Sequence, residues 1–343
     1  MRGATIRSIA TFGAALVALL VAGSAVLRAQ VPVAAQVVTA DVYPEHRVNF
    51  PGGVTGLPDQ IYANVPSSRP LTLDLYLPPA GVGGDARPFI VYVHGGGWSG
   101  GSQRNTAAFE NWPEVLASIA AKGYVVASIS YRLTGEAKMP AQIQDVKSAI
   151  RWMRSKASRY GIDKTRGLVW GPSAGGHLAG LAATSCGVAA LEPAAPGGPG
   201  SGAMPAMPVV GGSAQESDCV QAAVLWYGLF DFEKASPPAA LFGCDPGSCS
   251  PDVLRAASPV TYIAANDPPM LIIAGDKDAT IPPDQSRQFD AALKAKGVKS
   301  ELMIIPGVGH SFIGPDQKTT SNATNQALKK TLEFIDATIG AKK

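Results

Sequence analysis

A five-residue motif at 171–175 carries the strongest chemical signal in the sequence. It reads Gly-Pro-Ser-Ala-Gly, with Ser173 between two glycines. An apolar segment ending at Trp170 precedes it and a run of small residues follows, which predicts a sharp turn from a strand into a helix. Such a turn requires glycines because any Cβ would clash, and it lifts the serine hydroxyl clear of the backbone. The pattern favours a nucleophilic serine over one that merely caps a helix.

A glycine-rich segment at 94–98 follows another apolar run and could supply hydrogen-bond donors to a reacting oxygen. It reads His-Gly-Gly-Gly-Trp, and its three glycines allow the backbone to turn with N–H groups directed into a cavity. We expect the N–H groups of Gly96 and Gly97, joined by that of Ala174, to hold a tetrahedral oxyanion. A phosphate-binding loop is the alternative, but no Lys-Ser or Lys-Thr pair follows at the required spacing. We expect Trp98 to lie beside a substrate pocket.

A serine nucleophile needs a base, and the sequence contains four histidines. His46 lies near the N-terminal end, and His94 belongs to the glycine-rich segment, whose shape its ring is expected to hold. His177 follows Ser173 by one helical turn, so it lies along the helix rather than above the hydroxyl. His310 remains, on a glycine-rich loop after a short apolar segment, as a base reaching over a sheet edge would.

The base in turn needs an acid that orients its ring and stabilises the imidazolium. With the chain order Ser, Asp, His, the acid is expected after a strand that lies between the other two residues. Asp276 and Asp278 both closely follow the apolar segment at 270–274, and Asp231 is a weaker third candidate. Spacing alone leaves the choice between Asp276 and Asp278 open.

The segments around these residues alternate between strand-like and helix-like patterns. Strands are expected at 71–77, 89–94, 124–129, 167–170, 221–227, 270–274 and 301–305, and helices at 141–160, 173–184, 284–296 and 323–339. Several of the strands are almost wholly apolar, which is typical of strands buried on both faces. The alternation predicts an α/β fold with a mostly parallel central sheet and helices on both faces.

The composition excludes several classes of protein. The 343 residues are 46% hydrophobic and 16% charged, which is the reverse of a disordered chain. Lys and Arg number 29 against 26 Asp and Glu, so no basic excess indicates a nucleic-acid partner. No HExxH motif occurs, and the four cysteines lack the spacing of a paired zinc motif, so no metal site is expected.

Residues 1–29 have the pattern of a secretory signal peptide. They carry three arginines, no acidic residue and a long apolar run, with candidate cleavage points after Ala29 and Ala35. A retained single-span anchor is the alternative. We expect a secreted or periplasmic protein with no membrane span after cleavage. Beyond the signal, an N-terminal extension at 30–69 and a catalytic domain at 70–343 are expected.

A segment at 187–217 breaks the alternation of strands and helices. It is rich in Gly, Pro, Ala, Ser, Met and Val without a clear period, and we interpret it as a surface insertion in the catalytic domain. In an exported protein four cysteines suggest two bridges, for which three connectivities exist. Nearest-neighbour pairing joins Cys186 to Cys219 and Cys244 to Cys249, and our hypothesis is that the first bridge anchors the ends of the insertion.

Four motifs together resemble the α/β-hydrolase family. They are most similar to its hormone-sensitive-lipase-like and bifunctional acetylxylan/feruloyl esterase-like branches. The motifs HGGGW, GPSAGGHLA, AGDKDATIP and GVGHSF occur in the family order within residues 70–340. By that pattern Asp278 rather than Asp276 is the acid, because it stands three residues before Ile281. The resemblance also implies that no cofactor is needed.

The resemblance implies a carboxylic ester hydrolase that works through Ser173, His310 and Asp278. Short-chain or carbohydrate-linked acyl esters, such as acetyl or feruloyl groups on polysaccharide, are the substrates expected by family analogy. An amidase, peptidase or formamidase with the same triad, or an inactive binding module of the same fold, are the alternatives. Two features depart from the family pattern: Pro172, where Gly or Asp is commoner, and the insertion at 187–217.

Overall fold

The computed structural model describes residues 45–65, 68–106, 109–193, 216–235, 238–245 and 247–340. The expected signal peptide at 1–29 lies outside this part of the chain, as do residues 194–215 of the expected insertion. Among the helices that the structure describes, none combines the length and the apolar character needed to cross a membrane.

A nine-stranded sheet forms the centre of the described fold. Its strands are β1 Val48–Phe50, β2 Val54–Ala63, β3 Leu71–Leu77, β4 Arg87–Val93, β5 Val125–Ile129, β6 Ile162–Pro172, β7 Ala222–Trp226, β8 Met270–Gly275 and β9 Ser300–Ile305. Their spatial order is β1-β2-β3-β5-β4-β6-β7-β8-β9. The pairings among β1, β2, β3 and β5 are antiparallel, and every pairing from β5 through β4 to β9 is parallel. The mostly parallel sheet predicted from the sequence is confirmed.

Helices cover both faces of this sheet. The described helices are α1 Trp112–Ala120, α2 Ala141–Ser155, α3 Ala157–Tyr160, α4 Ala174–Thr184, α5 Ala239–Phe242, α6 Pro251–Ala257, α7 Pro283–Ala295 and α8 Gln317–Ile339. Successive side chains of a strand point to opposite faces, so an apolar strand needs cover on both. In β4, Val91 belongs to one apolar core with residues of α2, α4 and α7, and Tyr92 belongs to a second core with residues of α1 and α8.

Five of the described helices and strands have no counterpart among the expected ones, namely β1, β2, α1, α5 and α6. Strands β1 and β2 lie within the stretch at 30–69 and extend the sheet at its antiparallel edge. The pairing of β2 with β3 shifts register between Leu57 and Gln60, and such an irregularity breaks the alternation by which a strand is recognised. Helix α1 does carry a start signal, because the side chain of Asn111 accepts a hydrogen bond from the N–H of Glu114.

Two disulfide bridges are present, and they are those of the nearest-neighbour pairing. Cys186 is bonded to Cys219, and Cys244 is bonded to Cys249. The first bridge joins the segment that follows α4 to the segment that precedes β7, so it connects the two described ends of the stretch at 187–217.

A buried ion cluster reinforces these two ends. The ammonium of Lys147 on α2 is fully buried, donates to the carbonyl oxygen of Ser185 at 2.6 Å, and lies 2.9 and 2.8 Å from the carboxylates of Glu192 and Asp218. The guanidinium of Arg151 pairs with the same two carboxylates. Burial lowers the pKa of Lys147, since desolvation disfavours the charged form, and Asp218 opposes that effect. The ends are therefore tied to α2 by charge as well as by a covalent bond.

Candidate active site

Ser173 is the single residue between strand β6 and helix α4. Its backbone lies at φ 54° and ψ −121°, a conformation that is costly for a non-glycine residue and clusters at functional sites. Its N–H donates to the carbonyl oxygen of Trp226 at 2.8 Å, so the neighbouring strand β7 holds the turn. The turn at 171–175, called the serine turn below, places Ser173 in the lining of two cavities.

Backbone packing on backbone requires both glycines of the serine turn. A Cβ added to Gly175 would lie 2.0 Å from the carbonyl oxygen of Val93, and a Cβ added to Gly171 would lie 2.5 Å from that of Gly175. Both distances are far below van der Waals contact. The clash expected from the sequence is therefore present, and it arises because the serine turn lies directly against the end of strand β4.

A series of hydrogen bonds connects Ser173 to a buried carboxylate through His310. His310 begins a short 3₁₀ turn after β9, and its Nε2 lies 2.9 Å from the hydroxyl oxygen of Ser173. Its Nδ1 lies 2.8 Å from Oδ2 of Asp278, whose side chain is completely buried. Because a carboxylate accepts from Nδ1–H, the neutral ring leaves Nε2 free to accept the serine proton.

The three candidate acids have different partners. The second carboxylate oxygen of Asp278 accepts hydrogen bonds from the N–H groups two and three residues later, at 2.9 and 2.8 Å, which fixes the side chain towards His310. Asp276 instead accepts from the N–H of Gly307 at 2.6 Å and braces the loop that follows β9. Asp231 caps the 3₁₀ turn that begins at Phe232. Among the described contacts, Asp278 is the candidate that meets His310.

His94 and His177 make contacts that hold the local structure, whereas His46 lies apart from Ser173. His94 lies with Nδ1 2.7 Å from the carbonyl oxygen of Gly95, and its ring stacks on Tyr131 at 4.3 Å between centroids. His177 is completely buried, with its two ring nitrogens 3.1 Å from the indole nitrogen of Trp98 and 2.8 Å from the carbonyl oxygen of Ala257. His46 is exposed beside β1 and lines a cavity separate from Ser173. The elimination that selects His310 from the sequence agrees with these positions.

The glycine-rich segment at 94–98 presents free donors beside Ser173. Gly96 has φ +116°, and a Cβ there would lie 2.3 Å from the carbonyl oxygen of Gly100, so the tight loop requires glycine. Gly96 and Gly97 line the same cavity as Ser173 and His310. Within the described part of the chain, the N–H groups of Gly96, Gly97 and Ala174 donate to no protein acceptor. Three unused donors around one hydroxyl are what a developing oxyanion requires.

Ser173 lies where two cavities meet. The smaller has a volume of about 380 Å³ and includes the three glycines at 95–97 and His310. The larger, of about 950 Å³, includes Trp98 and extends along the segment at 229–235 to Gln288. The position of Trp98 in this lining agrees with the expectation that it lies beside a pocket. A substrate that reacts at Ser173 can therefore extend in two directions.

Tyr227 is a site residue that the sequence reasoning missed. Its ring meets that of His310 edge to face at 4.9 Å between centroids and that of Phe312 at 4.7 Å. Burial raises the pKa of Tyr227, and a hydrogen bond with Ser311 partly opposes the rise. Its position directly after β7, the strand beside that of Ser173, was a signal that could have identified it. Tyr227 supports the ring of His310 from the side of the sheet.

The arrangement of a serine hydroxyl, an imidazole, a buried carboxylate and unused backbone N–H groups suits acyl transfer. Among the described residues, no group of three or more His, Cys, Asp or Glu side chains lies close enough together to hold a metal ion.

A family model identifies the chain. The model named BD-FAE matches residues 73–293, a stretch that includes Ser173, Asp278 and the glycine-rich segment. The chain belongs to the BD-FAE family. Membership in this family and the arrangement of the sheet agree in assigning the α/β-hydrolase fold, as the sequence motifs predict.

Curated relatives of this BD-FAE chain include two proteins of Mycobacterium tuberculosis. Esterase LipC is 31% identical over 270 residues, which are 74% of this chain and 61% of the relative. Esterase LipQ is 31% identical over 256 residues, which are 72% of this chain and 55% of the relative. The chain thus spans little more than half the length of these relatives.

Solved structures similar to this BD-FAE chain are also esterases by title. A truncated form of a carbohydrate esterase from gut microbiota is 29% identical, with a TM-score of 0.65 over 82% of this chain and 95% of that one. Esterase Est2 of Thermogutta terrifontis is 27% identical, with a TM-score of 0.62 over 81% of this chain and 91% of that one. The fold of this chain is therefore that of the esterase structures.

The two buried histidines predict a stability that falls in mild acid. Burial lowers the pKa of His94 and of His177 from 6.5 to about 4, because a charged ring would lose its hydration. The unfolded chain binds protons at both rings below about pH 6.5, whereas the folded chain does so only near pH 4. Within this window the unfolded state holds more protons, so the free energy of unfolding falls as the pH falls, by about 2–4 kcal/mol for each ring.

His177→Gln tests this prediction, because glutamine keeps one acceptor and one donor and does not titrate. We expect the loss of unfolding free energy between pH 7 and pH 4 to be smaller in His177→Gln than in the wild type by about 2–4 kcal/mol, measured by urea denaturation. His46→Gln, at an exposed position, is the matched control and should keep the wild-type pH dependence. An unchanged pH dependence in His177→Gln would contradict the prediction.

Proposed function

We propose that this BD-FAE-family chain is a serine carboxylic ester hydrolase that acts through an acyl-enzyme. The observation that carries the proposal is the hydrogen-bonded series from Asp278 through His310 to Ser173, with distances of 2.8 and 2.9 Å. The free donors at Gly96, Gly97 and Ala174 support it, as do the relatives and solved structures whose names and titles describe esterases. The same hydrogen-bonded series of carboxylate, imidazole and hydroxyl performs acyl transfer on several unrelated folds.

The first half of the reaction forms the acyl-enzyme. The hydroxyl of Ser173 attacks the ester carbonyl carbon while Nε2 of His310 takes its proton, and the carbonyl oxygen becomes an oxyanion. The N–H groups of Gly96, Gly97 and Ala174 donate to this oxyanion. When the tetrahedral intermediate collapses, the bond to the alcohol oxygen breaks, and His310 gives its proton to the departing alcohol.

The second half releases the acid. Water attacks the acyl-enzyme carbonyl and gives a proton to Nε2 of His310, and the oxyanion forms again in the same place. Collapse then breaks the bond to the oxygen of Ser173, which regains the proton from His310. Asp278 stabilises the imidazolium in both halves without taking its proton, because both carboxylate oxygens already accept hydrogen bonds.

The proposed substrates are short-chain or carbohydrate-linked acyl esters, such as acetyl or feruloyl esters. Two cavities of about 380 and 950 Å³ meet at Ser173, so groups on both sides of the ester have room. The larger cavity has apolar residues such as Trp98 and Leu229 and also polar ones such as Glu233 and Gln288. A mixed lining suits an acyl or alcohol group that carries hydroxyls, and the similar structure titled as a carbohydrate esterase supports this choice.

We further propose that the chain acts outside the cytoplasm. The proposal comes from the signal-like pattern of residues 1–29, and it agrees with the two disulfide bridges, which persist in oxidising compartments.

Ser173→Ala is expected to reduce kcat for p-nitrophenyl acetate by about 10⁵-fold or more, because it removes the atom that forms the acyl-enzyme. A fluorophosphonate probe should label the wild type at Ser173, as located by peptide mass spectrometry, and should not label the variant. Ser118→Ala, at an exposed position on α1, is the matched control and should keep full activity and labelling. Wild-type protein that resists the probe would instead favour an inactive binding module.

Asp278→Asn and Asp276→Asn separate the two neighbouring acids. We expect Asp278→Asn to lower kcat by about 10³–10⁴-fold, because its amide favours the wrong tautomer of His310. Asp276→Asn keeps the oxygen that accepts from Gly307 and should change kcat by less than about threefold. Steady-state kinetics with p-nitrophenyl acetate measure both, and equal losses in the two variants would contradict the assignment.

A substrate panel tests the proposed ester class. The panel contains p-nitrophenyl acetate, butyrate and decanoate, methyl ferulate, acetylated xylan, and p-nitroacetanilide as the amide counterpart of the acetate. We expect kcat/KM for the acetate to exceed kcat/KM for the decanoate by at least about tenfold. The excess over kcat/KM for the amide should be larger still. The protein should also hydrolyse acetylated xylan or methyl ferulate. Activity confined to the decanoate would overturn the substrate class, and faster hydrolysis of the amide would favour an amidase.

A further inference from the structure

The backbone of Trp98 has a conformation that a bulky residue rarely adopts. Trp98 directly follows Gly97, has φ +59°, and is almost completely buried although it lines the larger cavity beside Ser173. A bulky residue with positive φ is a genuine outlier and persists only where its surroundings fix it. Whatever fixes Trp98 therefore also fixes the peptide that joins it to Gly97, and so restrains the preceding peptide, which carries the N–H of Gly97 that is one of the proposed oxyanion donors.

The ring of His177 supplies that restraint. The indole N–H of Trp98 donates to Nδ1 of His177 at 3.1 Å, and Nε2 of His177 lies 2.8 Å from the carbonyl oxygen of Ala257. An indole nitrogen only donates and a carbonyl oxygen only accepts, so Nδ1 carries no proton and Nε2 carries one. Phe232 meets both rings, at 5.8 Å from Trp98 and 5.0 Å from His177, and closes the cluster.

Helix α4 places this restraint in a fixed relation to the nucleophile. The N–H of His177 donates to the carbonyl oxygen of Ser173 at 2.9 Å, so the two residues are one helical turn apart on a rigid element. The same helix begins with Ala174, the third oxyanion donor. A single helix therefore carries the nucleophile at its start, one donor in its first turn, and the ring that holds the loop with the other two donors.

We propose that His177 is a positioning residue for the oxyanion donors, acting through its hydrogen bond from Trp98. The inference rests on the proposed ester hydrolysis. The function of His177 is to keep the N–H groups of Gly96 and Gly97 at a fixed distance from Ser173 while the oxyanion forms and collapses. Donors placed in advance act in the transition state more than in the bound substrate, so their displacement lowers kcat with little change in KM.

The variants His177→Leu and His177→Gln distinguish a role of His177 in hydrogen bonding from a role in filling the core. Leucine fills space but offers no acceptor to the indole N–H of Trp98. We expect kcat for p-nitrophenyl acetate to fall by about tenfold, which is less than the fall expected when a whole oxyanion donor is lost. KM should stay within about twofold of the wild-type value. Glutamine can accept from Trp98 and donate to Ala257, and it should keep kcat within about threefold of the wild type. Leu181→Ala, one turn further along α4 and also buried, is the matched control for lost stability and should keep kcat.

Trp98→Phe tests the other end of the same hydrogen bond and serves if His177→Leu does not fold. It keeps an aromatic ring and removes only the indole N–H and part of the ring area, and we expect a similar loss of kcat. The double variant Trp98→Phe/His177→Leu should lose no more than the worse single variant, since both remove one interaction. In NMR spectra, the indole N–H signal of Trp98 is assigned by its absence from Trp98→Phe. This signal should lie downfield in the wild type and in His177→Gln, and it should move upfield in His177→Leu.

The outcomes separate this inference from the function on which it rests. Wild-type protein inactive on every ester of the panel would sink the proposed function, and the positioning role with it. An active wild type with equal kcat losses in His177→Leu and His177→Gln would overturn the positioning role alone. A rise in KM with unchanged kcat in His177→Leu would also overturn it, because His177 would then shape only the wall of the larger cavity. Additive losses of kcat in the double variant would also overturn the positioning role.

Discussion

The candidate site depends on one contact, the packing of the serine turn against the carboxyl end of strand β4. Gly175 approaches the carbonyl oxygen of Val93 so closely that no side chain fits between them. The glycine-rich segment at 94–98 begins at the next residue after Val93. The contact therefore brings the hydroxyl of Ser173 and the unused backbone N–H groups together without any bond between side chains. Chain connectivity and backbone packing do this work, which is why glycines rather than polar residues dominate both motifs.

The parallel sheet supplies the remaining groups from one edge. Strands β6, β7, β8 and β9 are neighbours in that order, and their carboxyl ends lead to Ser173, Tyr227, Asp278 and His310. Because parallel neighbours end at the same edge, loops of few residues are enough to bring the carboxylate, the imidazole and the serine hydroxyl into contact. The position of Tyr227 follows from the same rule: the strand between those of Ser173 and Asp278 ends beneath His310. The sheet thus sets the order of the groups, and the loops set their distances.

The sequence predicts those parts of the site that local chemistry determines. Ser173 follows from its flanking glycines, and His310 follows by elimination among four histidines. The choice of Asp278 over Asp276 depends on backbone N–H groups at 280 and 281 that come into range only when the loop is folded, so spacing left it open. Strand β2 was missed because its pairing with β3 is irregular, and β1 because three residues are too few to show an alternation. The assignments at 1–29 and 194–215 lie outside the described residues and stay predictions.

Backbone strain in the described fold is concentrated at the site, and the aromatic core explains how it persists. Of the six described non-glycine residues with positive φ, five lie at the candidate site: Ser173 itself and, around it, Trp98, Tyr227, Ser311 and Phe312. Such conformations cost about 1–3 kcal/mol each, so they last only where packing allows no relaxed alternative. Here Trp226 meets Phe312 edge to face at 5.4 Å and Tyr227 meets both His310 and Phe312, while His177 and Phe232 enclose Trp98. Large, rigid rings restrict the loops more strongly than flexible side chains would, because they have few rotamers. The core beneath the sheet edge therefore stabilises the chain and also holds its reacting groups in a geometry that the loops alone would not keep.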